Sequence, residues 1–101
     1  MILPKFNKTI HEQTKLRILV YLTSSEKVWN DFTQIKKDLE LTAGNLSAQL
    51  SKLEDEKLVK TNKQLVHKKS KTEVEITEEG RKALSDYLKQ LEKMLSVVKG
   101  E

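Results

Sequence analysis

The stretch LTAGNLSAQLSKLEDEKLV, residues 41–59, constrains the chain more than any other. Leu46, Leu50 and Leu53 fall on one side of a helix, and almost nothing large falls on the other. Thr42 suits the N-cap, because its hydroxyl can accept from a backbone N–H two or three residues on, and the helix runs to about Asp55. On a wheel centred on the three leucines, Gly44, Ala48, Ser51 and Asp55 point away, with Asn45 and Lys52 on one shoulder and Ser47 on the other. A flank of Gly44, Asn45, Ser47, Ala48, Gln49 and Ser51 lets another surface come close and hydrogen-bond to it. Taken alone, such side chains also suit a helix that is merely solvated.

The segments around this helix narrow its role. Upstream, Leu16, Ile18, Leu19, Val20, Tyr21 and Leu22 make an almost all-round apolar segment, which predicts a buried helix from His11 or Glu12 to about Thr23. SSEKVWN breaks the pattern, and Val28–Trp29 suits a very short strand. Asp31 then caps a two-turn helix carrying Phe32, Ile35 and Leu39. Two short helices separated by three or four residues, the second bare on its outer flank, are the sequence image of a helix-turn-helix. Downstream, LVKTNKQLV alternates loosely, HKKSK has no apolar group, and TEVEIT alternates strictly with Val74 and Ile76 on one face. That predicts an antiparallel hairpin with a lysine-rich tip.

Thr77 caps a last helix whose first turn holds Glu78 and Glu79, where the macrodipole favours them. Its apolar residues, Leu84, Leu88, Leu91, Leu95 and Val98, alternate steps of four and three, with Tyr87 and Met94 beside them. This is a coiled-coil seam. About twenty-two helical residues span roughly 33 Å, more than a small core covers from one side. A second copy of the chain is the expected cover. The expected architecture is mainly α with a small β-hairpin, an α+β single domain over residues 1–101. Its core is expected over 10–77 and its dimerisation helix over 78–99.

Charge sharpens the functional reading. The net charge is +4, from 19 Lys/Arg against 15 Asp/Glu, yet residues 60–72 hold five lysines and no acid, so the remainder sums to −1. A basic surface confined to the hairpin points to a local polyanion contact through Lys60, Lys63, Lys68, Lys69 and Lys71, with His67 near the turn. Lysines on a strand edge also serve to block aggregation. No cysteine is present, which excludes disulfides and thiolate metal sites, and two histidines far apart do not suggest a metal cage. No Gly-rich phosphate loop or Ser-His-Asp arrangement suggests catalysis, and no cofactor is expected. The longest apolar run, Ile18 to Leu22, is too short to span a bilayer, and MILPKF lacks the apolar core of a signal peptide. The expectation is a cytosolic protein with no membrane partner.

IHEQTKLRILVYL, DFTQIKKDLELTAGNLSAQLSKLEDEKLV and KTEVEITEEGRKAL together resemble the small stand-alone winged-helix transcriptional regulators related to the MarR type, over about residues 10–95. LTAGNLSAQLSKLE and ITEEGRKAL carry most of the likeness, since each sets cap, core and exposed positions in one register. The resemblance implies a homodimer that binds double-stranded DNA, with the third helix in the major groove and the hairpin, as a wing, on the backbone or in the minor groove. Two positions depart from the family pattern: Lys57 stands where glycine often follows the recognition helix, and Ala48 where relatives are often basic.

The expected DNA-binding residues are Thr42, Gly44, Asn45, Ser47, Ala48, Gln49, Ser51, Lys52, Lys63, His67, Lys68, Lys69 and Lys71. Asn45 and Gln49 suit an adenine edge, Ser47 and Ser51 a base or phosphate, and Lys52 a phosphate or guanine. The expected dimer contacts are Leu84, Tyr87, Leu88, Leu91, Met94, Leu95 and Val98. Arg17, inside an apolar helix, needs either a carboxylate partner or a DNA phosphate. Trp29 suits a core or interface plug. Because such regulators often hold small effectors, Trp29, Tyr21 and Tyr87 are also candidates for a pocket. Two other functions fit the same residues: an architectural protein binding DNA with little sequence preference, and an adaptor binding another protein.

Overall fold

The computed structural model describes residues 12–100. In chain order the elements are α1 (Gln13–Ser24), β1 (Asn30–Asp31), α2 (Phe32–Asp38), α3 (Ala43–Asp55), β2 (Val59–Val66), β3 (Lys69–Ile76) and α4 (Glu78–Lys99). The three later helices each start on a capping side chain. Asp31 accepts from the Gln34 N–H at 3.2 Å, Thr42 from Asn45 at 3.0 Å and Thr77 from Gly80 at 2.9 Å. Each cap satisfies one of the four backbone donors that a helix start leaves orphaned. The N-cap of α1 is Glu12, which makes no side-chain capping bond, and His11 lies outside the described residues.

The three strands form one antiparallel sheet in the order β1-β3-β2, with β2 and β3 joined as a hairpin. Against its base pack the apolar sides of the helices. Ile18, Leu19 and Leu22 of α1, Ile35 of α2, and Leu46, Leu50 and Leu53 of α3 meet Val59, Val74 and Ile76 of the sheet and Leu84 of α4. The fold is a winged helix of the α+β class with a long C-terminal helix. Complete burial of each leucine contributes about 1.5–3 kcal/mol, as an upper estimate.

The junction between α3 and α4 is close-packed. Lys57 ends α3 in the left-handed region, at φ 62°, a conformation normally left to glycine. The Thr77 hydroxyl donates to the Lys57 carbonyl at 2.7 Å, and the Thr77 N–H donates to the Leu58 carbonyl at 3.0 Å. Gly80 then sits so close to the Leu58 carbonyl and the Ile76 side chain that a Cβ has no room there. The glycine required at this junction is therefore on α4, not after α3.

Three expectations are corrected here. The short strand is Asn30–Asp31, paired with Val74 and Glu73, rather than Val28–Trp29. Asn30 is the buried residue of that loop: its Oδ1 accepts from the Ser25 hydroxyl at 2.6 Å and its Nδ2 donates to the Lys27 carbonyl. Trp29 is 36% exposed and plugs no core. Helix α1 is also less enclosed than its composition suggests, since Val20 is 41% exposed.

Candidate nucleic-acid interface

Helix α3 is held from one side and open on the other. Its three leucines are buried, whereas Gly44, Asn45, Ser47, Ala48, Ser51 and Lys52 are all exposed. A Cβ on Gly44 meets no atom within 4 Å, so the chain's own packing does not need glycine there. The first turn contains no acid, and the Thr42 hydroxyl, already accepting from Asn45, keeps its proton to donate. Gln49 differs from the expectation of an exposed readout residue: it is half-buried, and its Oε1 is buried with no hydrogen-bond partner. It stands on the wall of the open flank rather than at its crest.

The acidic C-terminal end of α3 has a structural role. One Glu54 carboxylate oxygen accepts from the Thr61 N–H at 3.0 Å and from the Thr61 hydroxyl at 2.7 Å. This clasp ties α3 to β2, the first strand of the hairpin. Beyond it, the hairpin register fixes which lysines share a face. Pairs Val59/Ile76 and Thr61/Val74 lie on the inner face against the core, so Lys63/Thr72 and Leu65/Ser70 continue that face outward. Lys60/Glu75, Asn62/Glu73, Gln64/Lys71 and Val66/Lys69 occupy the outer face.

That register corrects the picture of an acid-free basic patch. Lys71 lies 3.5 Å from Glu73, which also accepts from Gln64 at 3.0 Å, and Lys60 faces Glu75 across the ladder. Among the described residues no carboxylate pairs with Lys63, Lys68 or Lys69, so these three are open to a partner. His67 and Lys68 form the two-residue turn between Val66 and Lys69, with φ of 51° and 63°. Hairpin turns of this length favour Asn-Gly, and non-glycine residues there carry strain.

The remaining expected residues are distributed as follows. Among the described residues Arg17 pairs with no carboxylate: its guanidinium donates to the Leu39 carbonyl at 2.8 Å and so caps the end of α2. The Tyr21 hydroxyl donates to Asp38 at 2.6 Å, and Asp38 also accepts from Gln34 at 2.7 Å. Burial, and then the neighbouring Asp38, push the Tyr21 phenol up to about 12, while the hydrogen bonds from Tyr21 and Gln34 hold the Asp38 carboxyl below its usual value. Tyr21 lines a cavity of about 500 Å³ with Asp31, Gln34 and Asp38, but Trp29 and Tyr87 do not line it. A second cavity lined by Tyr21, with Leu16, Arg17, Val20 and Leu39, also lacks Trp29 and Tyr87.

On α4 the expected seam divides in two. Leu84 and Tyr87, at 4% and 7% exposure, are occupied by this chain's own core. Leu91 and Met94 are half-buried, and Leu88, Leu95 and Val98 are exposed. Nothing in the sequence periodicity flagged the Glu54–Thr61 clasp or the Arg17 cap. Neither a carboxylate meeting a backbone N–H seven residues on nor a guanidinium meeting a carbonyl leaves a repeating pattern.

A short helix, a turn, a helix with an open polar flank and a clasped two-stranded hairpin define a winged helix-turn-helix unit. The chain belongs to the winged helix DNA-binding domain family, whose model matches residues 14–95. An uncharacterized protein of Methanocaldococcus jannaschii is 35% identical over 81 residues, which cover 80% of this chain and 86% of that protein. The structure of a transcriptional regulator homologue from Pyrococcus horikoshii superposes with a TM-score of 0.79 at 31% identity, covering 89% of this chain and 87% of that one. A possible transcriptional regulator from Methanosarcina mazei shares the fold, with a TM-score of 0.62 at 13% identity, over 91% of this chain and 79% of its own. The chain is thus a winged helix DNA-binding domain. Among the described residues, no helix is long and apolar enough to cross a membrane.

Proposed function

We propose that the protein is a sequence-specific transcriptional regulator of the MarR-related kind that binds double-stranded DNA as a homodimer. The N-terminal two turns of α3 enter the major groove, where Asn45 and Ser47 meet base edges and Lys52 a phosphate. Lys63, Lys68 and Lys69 of the wing hold the backbone beside that groove. One observation carries this reading: the open flank of α3 is free of large and acidic side chains over its first two turns, and Glu54 clasps it to a wing whose Lys63, Lys68 and Lys69 pair with no carboxylate among the described residues.

The dimer part of the proposal rests on α4. Leu88, Leu95 and Val98 stay exposed, with Leu91 and Met94 between them, on a helix of 22 residues. A closed two-fold pairing is the commonest way to cover such a stripe, and it sets two recognition helices one DNA turn apart, about 34 Å. Residues 78–99 act in this reading as the dimerisation helix.

Selection of bound duplexes from a random pool, at low and moderate salt, tests the proposal. Enrichment of an inverted repeat with half-sites about one turn apart is the expected result. Retention without enrichment would make the protein an architectural binder, and no retention at either salt would make the open flank a protein-binding surface.

A further inference from the structure

We infer that Leu65 is a minor-groove wedge: with α3 in the major groove, the wing presses this side chain against a base step of the adjacent minor groove and bends the duplex. The inference rests on the DNA-binding reading above and adds a residue, a groove and a deformation to it.

Single exposed leucines are ordinary, so exposure alone, 78% here, decides nothing. Placement does. Leu65 lies on the inner face of the hairpin, the face that α3 covers lower down, four residues along β2 beyond the Thr61 held by Glu54. At about 3.3 Å per residue it stands roughly 13 Å outward from that clasp, directed to the same side as the recognition helix. Its cross-strand partner is Ser70, too small to shelter it.

The surroundings identify the occupant. Lys63 precedes Leu65 on the same face, and Lys68 and Lys69 follow around the turn, all without carboxylate partners among the described residues. An apolar tip ringed by unpaired cations matches a polyanion with a stacked apolar interior. Architectural minor-groove proteins combine the same two elements, basic side chains on the strands and an apolar wedge at a base step. Strand β2 is moreover an edge of the sheet, where an exposed Leu65–Val66 pair is an aggregation liability that a further lysine would remove. The two-residue turn keeps Leu65 opposite Ser70 and Val66 opposite Lys69, so the wedge sits on a paired ladder rather than a long loop.

The test uses the full chain and short A·T-rich duplexes carrying dyes at both ends and 2-aminopurine at one TA step, moved a base pair at a time. Binding is followed in parallel by anisotropy. The wild type is expected to bend the duplex by about 20–90° and to unstack the probe at only one or two step positions. Leu65→Ala is expected to lose both signals while binding weakens less than about tenfold, and Leu65→Met to retain most of both. Bending by Leu65→Ala equal to the wild type would overturn the wedge, as would tight wild-type binding without unstacking, with DNA binding itself left standing. Failure of the wild type to bind any duplex at low salt would overturn the DNA reading and the wedge together. Conversion of a dimer to a monomer by Leu65→Ala would reassign the residue to a contact between copies.

Discussion

The open flank of α3 and the tip of the wing are both exposed, but they are built on opposite principles. The helix is anchored along its length by Leu46, Leu50 and Leu53, and presents small, neutral, hydrogen-bonding groups. The wing is anchored at its base by Val59, Val74 and Ile76, and presents exposed lysines on a hairpin whose turn is strained. Base edges discriminate by geometry within tenths of an ångström, so they suit the rigid flank. Phosphates attract over distances comparable to the Debye length, about 8–10 Å, so they tolerate the long lysine stems. The Glu54–Thr61 clasp joins the two without making them alike.

The largest effect comes from removing the anchor of the helix. Leu53→Ala leaves a cavity in a fully buried site and should cost about 2–5 kcal/mol in denaturant unfolding. Leu65→Ala on the exposed wing should change stability by only about 0.5 kcal/mol or less. Equal losses would mean that the wing is as much a part of the core as the helix.

A bulky side chain on the open flank should separate folding from binding. Gly44 has empty space around its Cβ position, and leucine is the better helix former by up to about 1 kcal/mol. Gly44→Leu should therefore unfold at the same denaturant concentration or higher, while its affinity for duplex DNA falls at least about tenfold, or 1.4 kcal/mol. Unchanged affinity would remove this flank from the interface.

Relieving the wing turn should act in the reverse sense. Replacing His67 and Lys68 by Asn-Gly supplies residues that accept positive φ, and should stabilise the hairpin by about 1 kcal/mol. The same change deletes the phosphate contact proposed for Lys68, so the salt slope of binding should become shallower by about 0.9.

The smallest effect lies outside both regions. The Tyr21 phenol has its folded value raised from 10 to about 12, so the stability it provides is complete below pH 10 and is lost as pH rises towards 12. Tyr21→Phe should flatten that alkaline limb of a stability-against-pH curve without altering DNA binding near neutrality. An unchanged limb would show that the Tyr21–Asp38 bond between α1 and α2 does not contribute.

Much of this arrangement was legible in the sequence because it repeats at short range. The leucine spacing of α3, the caps Asp31, Thr42 and Thr77, and the alternation around Val74 and Ile76 each depend on neighbours within a few residues. What escaped was set by pairing across the chain. Counting charge along residues 60–72 placed no acid in the patch, whereas the ladder brings Glu73 beside Lys71 and Glu75 opposite Lys60. Val28–Trp29 looked like the strand by side-chain type, but a buried, hydrogen-bonded Asn30 fixes the strand two residues later. The heptad-like spacing of α4 was visible from Leu84 onward, yet periodicity alone cannot say that Leu84, and Tyr87 beside the seam, are used up by the core of the same chain.

The division of labour between helix and wing is tested most directly by one set of titrations. Wild type, Asn45→Ala and the double variant Lys68→Ala/Lys69→Ala would each be titrated with a selected and a scrambled duplex across a salt series. The account predicts that Asn45→Ala loses about 1–3 kcal/mol on the selected duplex alone and keeps the wild-type salt slope. The lysine variant should weaken on both duplexes alike and lose about 1.8 from its slope. Equal losses by both variants on both duplexes, with slopes unchanged, would contradict it.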